Sequence, residues 1–303
     1  MPKILIADGM AADAVKRLRD AGFQVDEQHY AEPDLIKAIP NYDCVVVRSA
    51  TKITEPVIDA GKNLKLIIRG GVGIDNIKAA YAKERGIKVM NTPRASSTSV
   101  AELALAFIFA LARRLPEANA TMKAGKWEKK AFAEGFEVRG KTLGIIGIGR
   151  IGTELAMMAD SLGLRSILAY DSIVDFTPLR WVTMCSRDEL LAKSDFISLH
   201  IPAAGAEPEL GRKEFAKMKD GVVIINCARG GVVDEDALLE ALNSGKVRAA
   251  GVDVFAGEPN PRRDLVEHPR VYCTPHIGAA TIEAQDRVGM EVVSIVLREL
   301  QKA

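Results

Sequence analysis

The sequence predicts an α/β protein with more than one parallel-sheet domain, and three observations predict it. At 303 residues the chain exceeds what one hydrophobic core usually serves, since single cores stop growing near ~250–300 residues. Short β-branched runs alternate with helix-period segments almost throughout, the pattern of βαβ units whose strands are buried on both faces. A glycine turn, Gly147-Ile148-Gly149-Arg150-Ile151-Gly152, separates a strand-like run from a helical one in the second half.

In chain order, KILIAD reads as a strand and AADAVKRLRDAG as the helix after it. CVVVRS with TEPVIDAG and LKLIIRG with IKAAYAKERG repeat the unit, and KVMNTP adds a strand, giving one small α/β domain. After Pro93, the residues Val100, Leu103, Ala104, Phe107, Ile108 and Leu111 keep helical spacing, and the pattern runs on towards Met122. One long helix leading into a second domain is predicted there. TLGIIGIGRIG opens the second series, in which SILAYD, DFISLHIP, GVVIINCARGG, AAGVDVF and VYCTPHIG each complete a strand-like run. IEAQDRVGMEVVSIVLREL reads as one amphipathic helix.

Bulk properties exclude several classes. Lys and Arg number 41 against 40 Asp and Glu, so no global field recruits nucleic acid or an anionic membrane. The apolar run of MPKILIADGM is too short for a signal peptide, and no apolar stretch reaches the ~20 residues that span a bilayer. Cys44, Cys185, Cys227 and Cys273 are far apart with no CxxC pair, which suits reduced thiols in a cytoplasmic protein rather than zinc or a disulfide framework. No Asp, Glu or His cluster has metal-ligand spacing, so no metal is expected. G-x-S-x-G, P-loop and HExxH patterns are also missing, which removes the common hydrolase readings.

The glycine turn carries the cofactor prediction. It follows TLGII, precedes TELAMMADSLG, and is followed close to twenty residues later by Asp171 at the end of SILAY. That is the full dinucleotide fingerprint in its required context. Gly147 permits the tight turn, Gly149 lets the backbone approach a pyrophosphate, and Gly152 lets the helix pack on the sheet. The amides of Arg150 and Ile151 at the helix start face the phosphate charge. Asp171 would accept from the ribose hydroxyls and repel a 2′-phosphate, which favours NAD over NADP. His200 and Pro202, in LHIP, end a strand beside the same turn and are expected to shape its wall.

Ligands of open α/β sheets sit outside the carboxyl ends of the strands. Three ionisable residues follow such ends in succession: Arg229 after VVIINCA, Glu258 after GVDVFAG and His276 after VYCTP. Hydride transfer from a secondary alcohol needs a base for the hydroxyl proton, which histidine supplies. A carboxylate beside it would favour the protonated ring and hold its orientation. Arg229, with its fork of donors, suits the carboxylate of a 2-oxo or 2-hydroxy acid.

With GIIGIGRIG, NCARGGVVDEDALLEAL, GVDVFAGEP and TPHIGAAT in this order, the chain resembles the D-isomer-specific 2-hydroxyacid dehydrogenases over essentially its full length. The resemblance implies two Rossmann-like domains with parallel sheets. A flavodoxin-like substrate domain would span 1–95 and 275–303, with an NAD-binding domain over 96–274 inserted between. It also implies Arg229, Glu258 and His276 as the catalytic trio, Val72, Gly73 and Ile74 as a carboxylate-binding loop, and Cys227, Ala228 and Asp253 beside the nicotinamide carboxamide. Residues 96–140 correspond to the family's dimerisation region, so a homodimer is expected, and Lys129 could reach the partner subunit's site.

VVRSATKIT, GVGIDNI, MNTPRASSTSVAELALAFIFALAR and MKAGKWEKKAF are most similar to the phosphoglycerate dehydrogenase branch. That branch implies a phosphorylated 2-hydroxy acid as substrate, oxidised by NAD from D-3-phosphoglycerate to 3-phosphohydroxypyruvate at the entry to serine synthesis. Arg48 and Arg69, at strand ends, could pair with the phosphate dianion. The alternatives are a glyoxylate, hydroxypyruvate or D-lactate-type reductase, and a cofactor-sensing binding protein such as the family's corepressors. The sequence ends at Ala303, just after the helix that closes the catalytic core, so serine feedback through the regulatory domains of many relatives is not expected. AAGAEPELG is a loose match to the family's usual loop.

Overall fold

In the computed structural model, which describes residues 1–301 other than Ala204 and Ala206, the chain divides into two compact units. The first comprises Met1–Ser96 and the segment from Ala279 onward, the second Ser97–Gly278. Residues 275–278, grouped with the first domain by the resemblance, fall in the second unit.

The first unit opens with β1 (Lys3–Ile6), α1 (Ala12–Asp20), β2 (Gln24–Glu27), α2 (Glu32–Ala38) and β3 (Cys44–Val47). It continues with α3 (Glu55–Ala60), β4 (Leu66–Arg69), α4 (Ala79–Glu84) and β5 (Lys88–Asn91). The strands pair in the order β2-β1-β3-β4-β5, all parallel, the flavodoxin-like arrangement. Its inner strands are buried on both faces, as in Cys44–Val47, which is why they read as unbroken apolar runs. QVDE escapes notice in the sequence because β2 is an edge strand and only Val25 is buried.

The second unit begins with α5 (Ser97–Arg113) and α6 (Leu115–Lys123), not with one continuous helix. Pro116 lies in the first turn of α6. A proline has no N–H and its ring collides with the carbonyl four residues back, here that of Ala112. That carbonyl accepts from Phe136 N instead, at 3.0 Å, and Arg114 takes a left-handed φ of 51° at the break.

A seven-stranded parallel sheet follows: β6 (Thr142–Ile146), α7 (Arg150–Ala159), β7 (Ser166–Tyr170), β8 (Val182–Met184), α8 (Arg187–Lys193) and β9 (Phe196–Leu199). Next come α9 (Arg212–Lys217), β10 (Val222–Asn226), α10 (Glu235–Ser244), β11 (Val247–Val252), α11 (Arg263–Val266) and β12 (Val271–Cys273). The strand order is β12-β11-β10-β9-β6-β7-β8. It runs outward from β6 in both directions, the dinucleotide-binding topology whose switch point lies between β6 and β9. Phe107 of α5 packs where Gly251 of β11 leaves room, since a Cβ there would come within 2.6 Å of the Phe107 ring.

Helix α12 (Ile282–Leu300) then returns to the first unit, where Val292, Val293, Ile295, Val296 and Leu300 join the core of Ile4, Ile6 and Leu18. Gly289 permits the approach, because a Cβ there would stand 2.7 Å from that of Ala14. Among the described residues no helix is long and apolar enough to cross a membrane.

Candidate active site

The glycine turn sits at the switch point of the second sheet. Gly147 has φ +94°, and a Cβ on it would come within 2.6 Å of the His200 carbonyl oxygen. A Cβ on Gly152 would overlap the Gly147 carbonyl, whereas Gly149 has nothing within 4 Å of the Cβ it lacks. Two glycines are therefore required by the fold itself, and the third leaves open space before the N-terminus of α7. Arg150 and Ile151 open that helix, whose first amides have no intrahelical acceptor. Asp171, just beyond β7, accepts from Ile148 N at 3.0 Å through Oδ2 and from Ile173 N and Val174 N through Oδ1. The acid thus helps shape the turn it accompanies.

His200 and Pro202 follow β9 on the other side of the switch point. His200 Nε2 lies 2.9 Å from Ser198 Oγ. Although the residue keeps part of its surface exposed, Nδ1 is sealed from solvent and has no partner among the described residues. Burial lowers the imidazole pKa to about 3, so the ring is neutral at physiological pH.

The INCARGG turn after β10 is organised by Asn226, which no motif in the sequence marks. Its Oδ1 accepts from Ala228 N and its Nδ2 donates to the Arg229 carbonyl, both at 3.1 Å. Gly230 is required because a Cβ there would overlap the Phe255 carbonyl. Cys227 and Ala228 are buried, and burial pushes the Cys227 thiol up. Arg229 is half-buried, with Nη1 donating to the Ala228 carbonyl at 2.6 Å.

Glu258 and His276 meet through Oε2 and Nδ1 at 2.8 Å. His276 takes a left-handed φ of 52°, and Asp253 holds it there. The Asp253 carbonyl accepts from His276 N at 2.9 Å. Its carboxylate, 1% exposed, accepts from Thr274 Oγ1, Ile277 N and Gly278 N at 2.6–2.9 Å. With the Nδ1 proton assigned to the Glu258 bond, Nε2 is left as the ring's proton acceptor.

In the first unit, Asp8 joins the loops after β1 and β3, the switch point of that sheet. Its Oδ2 accepts from Arg48 N at 2.6 Å and Thr51 N at 3.0 Å. The Arg48 side chain is partly buried, which lowers its pKa. Arg69 donates from Nη1 to the Gly70 carbonyl at 2.6 Å. In the following loop the N–H groups of Val72, Gly73 and Ile74 have no acceptor among the described residues, while the Val72 carbonyl is fixed by Asn91 Nδ2 at 2.6 Å. Consecutive unpaired amides of this kind suit an anion.

Residues 105–278 match the NAD binding domain of the D-isomer specific 2-hydroxyacid dehydrogenases. A hydroxypyruvate reductase from Thermotoga maritima is 51% identical over 91% of each chain. The chain belongs to this family. A D-3-phosphoglycerate dehydrogenase from Archaeoglobus fulgidus is 44% identical over 97% of this chain, which spans only 56% of that longer protein. Among solved structures, the TT0316 protein from Thermus thermophilus superposes with a TM-score of 0.90 at 32% identity, over 99% of this chain and 97% of its own.

The cofactor of this dehydrogenase is NAD, and the residues fit it. The space at Gly149, the free amides opening α7, the Asp171 carboxylate and the orphaned His200 Nδ1 all lie at the second sheet's switch point.

Proposed function

We propose that this NAD-dependent D-2-hydroxyacid dehydrogenase acts on D-3-phosphoglycerate, with His276 as its acid–base residue. The observation that carries the chemistry is the 2.8 Å bond between Glu258 and His276 Nδ1, which commits one ring nitrogen and leaves the other for the substrate proton. When bound, NAD supplies the acceptor of the hydride. His276 Nε2 takes the hydroxyl proton during oxidation and returns it during reduction. Glu258 stabilises the resulting imidazolium and fixes the ring. Arg229 binds the substrate carboxylate and polarises the reacting C–O bond. The amides of Val72, Gly73 and Ile74 offer further donors to a carboxylate, and Arg48 offers a partly desolvated cation to a phosphate.

A second reading, reduction of hydroxypyruvate or glyoxylate, is favoured by one observation. The hydroxypyruvate reductase is the more similar relative and is matched over 91% of its length, against 56% for the phosphoglycerate dehydrogenase. Phosphohydroxypyruvate and hydroxypyruvate differ only by the phosphate, so Arg48 discriminates. Steady-state rates with both substrate pairs should show Arg48→Ala losing about tenfold or more in kcat/KM for phosphorylated substrates alone, as for a lost charge-assisted contact. A wild-type preference for hydroxypyruvate or glyoxylate, untouched by Arg48→Ala, would establish the second reading.

The segment within 96–140 also carries exposed apolar side chains, Leu115, Met122 and Trp127, the last 79% exposed. Such clusters mark protein interfaces. We place a homodimer contact there, to be tested by light scattering of wild type and Trp127→Glu. The four free cysteines accord with a reducing, cytoplasmic setting.

A further inference from the structure

The second unit has a depression at the edge of its sheet opposite the glycine turn. The starts of β6 and β7 and the end of α8 line it, and it encloses about 540 Å³, within the size range of small-ligand sites. The five residues of β6, at a rise of ~3.3 Å each, separate this edge from the glycine turn by roughly 16 Å. It is a different place from the cofactor's.

Its charge is unbalanced. Lys141, Arg165, Lys193 and Lys219 line it with only two acids, Glu189 and Asp195. Both acids are engaged: Glu189 with Lys193 Nζ at 2.6 Å, and Asp195 with Lys219 Nζ at 3.1 Å and Thr142 N at 2.8 Å. Lys141 and Arg165 have no carboxylate partner among the described residues. They also start side by side, because Arg165 N donates to the Lys141 carbonyl at 2.8 Å where two neighbouring strands begin. The hydroxyls of Thr142 and Ser166, 3.2 Å apart, add neutral donors on the same wall.

Lys141 Nζ rests over the Phe136 ring, 6.0 Å from its centroid, so an anion entering beside these two side chains gains attraction without displacing a carboxylate. We propose that this depression binds a small anion of the phosphate class carrying at least two negative charges. The site is local, because the whole chain carries a net charge of only +1. A long polyanion such as a nucleic acid is a poor occupant, since no aromatic side chain lines the depression for base stacking. The proposal does not depend on which hydroxy acid the enzyme takes.

Inorganic pyrophosphate is the probe, titrated calorimetrically at low salt into the full chain saturated with NADH, so that the cofactor's own phosphate site is filled. Lys141→Gln/Arg165→Gln and Lys141→Glu/Arg165→Glu should each weaken binding by about tenfold or more, with kcat and the KM for NAD unchanged as the control for folding. Arg48→Ala should leave this binding intact. Unaltered affinity in the glutamine and glutamate variants, a loss that follows Arg48→Ala instead, or no binding at millimolar pyrophosphate would overturn the proposal.

Discussion

The Glu258 carboxylate bridges the His276 ring and its own chain: Oε2 meets Nδ1 at 2.8 Å while Oε1 accepts the Phe255 N–H at 3.0 Å. The ring is thereby referenced to the backbone that follows β11. The two side chains remain 42% and 36% exposed, so the pair adds little to stability. Its value lies in orientation and charge.

Those two contributions separate experimentally. Glu258→Gln keeps an acceptor for Nδ1–H but removes the charge, and Glu258→Ala removes both. We expect kcat to fall on the order of tenfold for the first and a hundredfold for the second, within the range of general acid–base effects. The KM for NAD and the melting temperature should stay near wild type. Equal losses in the two variants would mean that ring orientation contributes nothing.

His276 holds a backbone conformation that costs non-glycine residues on the order of 1–3 kcal/mol. Asparagine is among the few residues that adopt it readily. His276→Asn should therefore reduce turnover by roughly 10²- to 10⁴-fold while unfolding at the same temperature as wild type or higher. A clear drop in melting temperature would show that the histidine is not strained.

The glycine turn was legible because the positive φ of Gly147 and the approach of Gly152 to the Gly147 carbonyl are demands within one short turn, and so was the strand-end placement of Arg229, Glu258 and His276, each closing an apolar run. Asp8 and the buried side of Asp253 were not. Their hydrogen bonds reach backbone amides across loops, as from Asp8 to Arg48 and from Asp253 to Gly278, and no local period records such partners. The break at Arg114 was hidden by the opposite problem. Helical spacing runs through it, and only the loss of a donor at Pro116, with the Ala112 carbonyl taken by Phe136, ends the helix.

The glycines at 149 and 152 answer to different demands. Gly149 has an ordinary φ of −70° and open space where a Cβ would go. Gly149→Ala should leave the melting temperature unchanged yet weaken NAD binding about tenfold or more, because the methyl group enters the space the pyrophosphate needs. Gly152→Ala, whose methyl group would overlap the Gly147 carbonyl, should lose stability as well, by about 1–3 kcal/mol for an overpacked position. Calorimetric melting and NAD titration of both variants test the split, and a destabilised Gly149→Ala would contradict it.

The neutral His200 ring makes stability depend on pH in one direction. Burial lowers its folded pKa from 6.5 to about 3, so between those values the unfolded chain binds a proton that the folded chain refuses. The stabilisation is complete above pH 6.5 and is lost as the pH falls towards 3, at no more than ~1.4 kcal/mol per pH unit. Replacing the ring with a non-titrating side chain of similar size removes this dependence, so denaturant unfolding of His200→Gln between pH 4 and 7 should show a shallower fall than wild type. NAD stabilises the folded form of both proteins by mass action and should raise both curves while the difference in slope between them persists. Parallel slopes for the two proteins, with and without NAD, would show that His200 is not the titrating group.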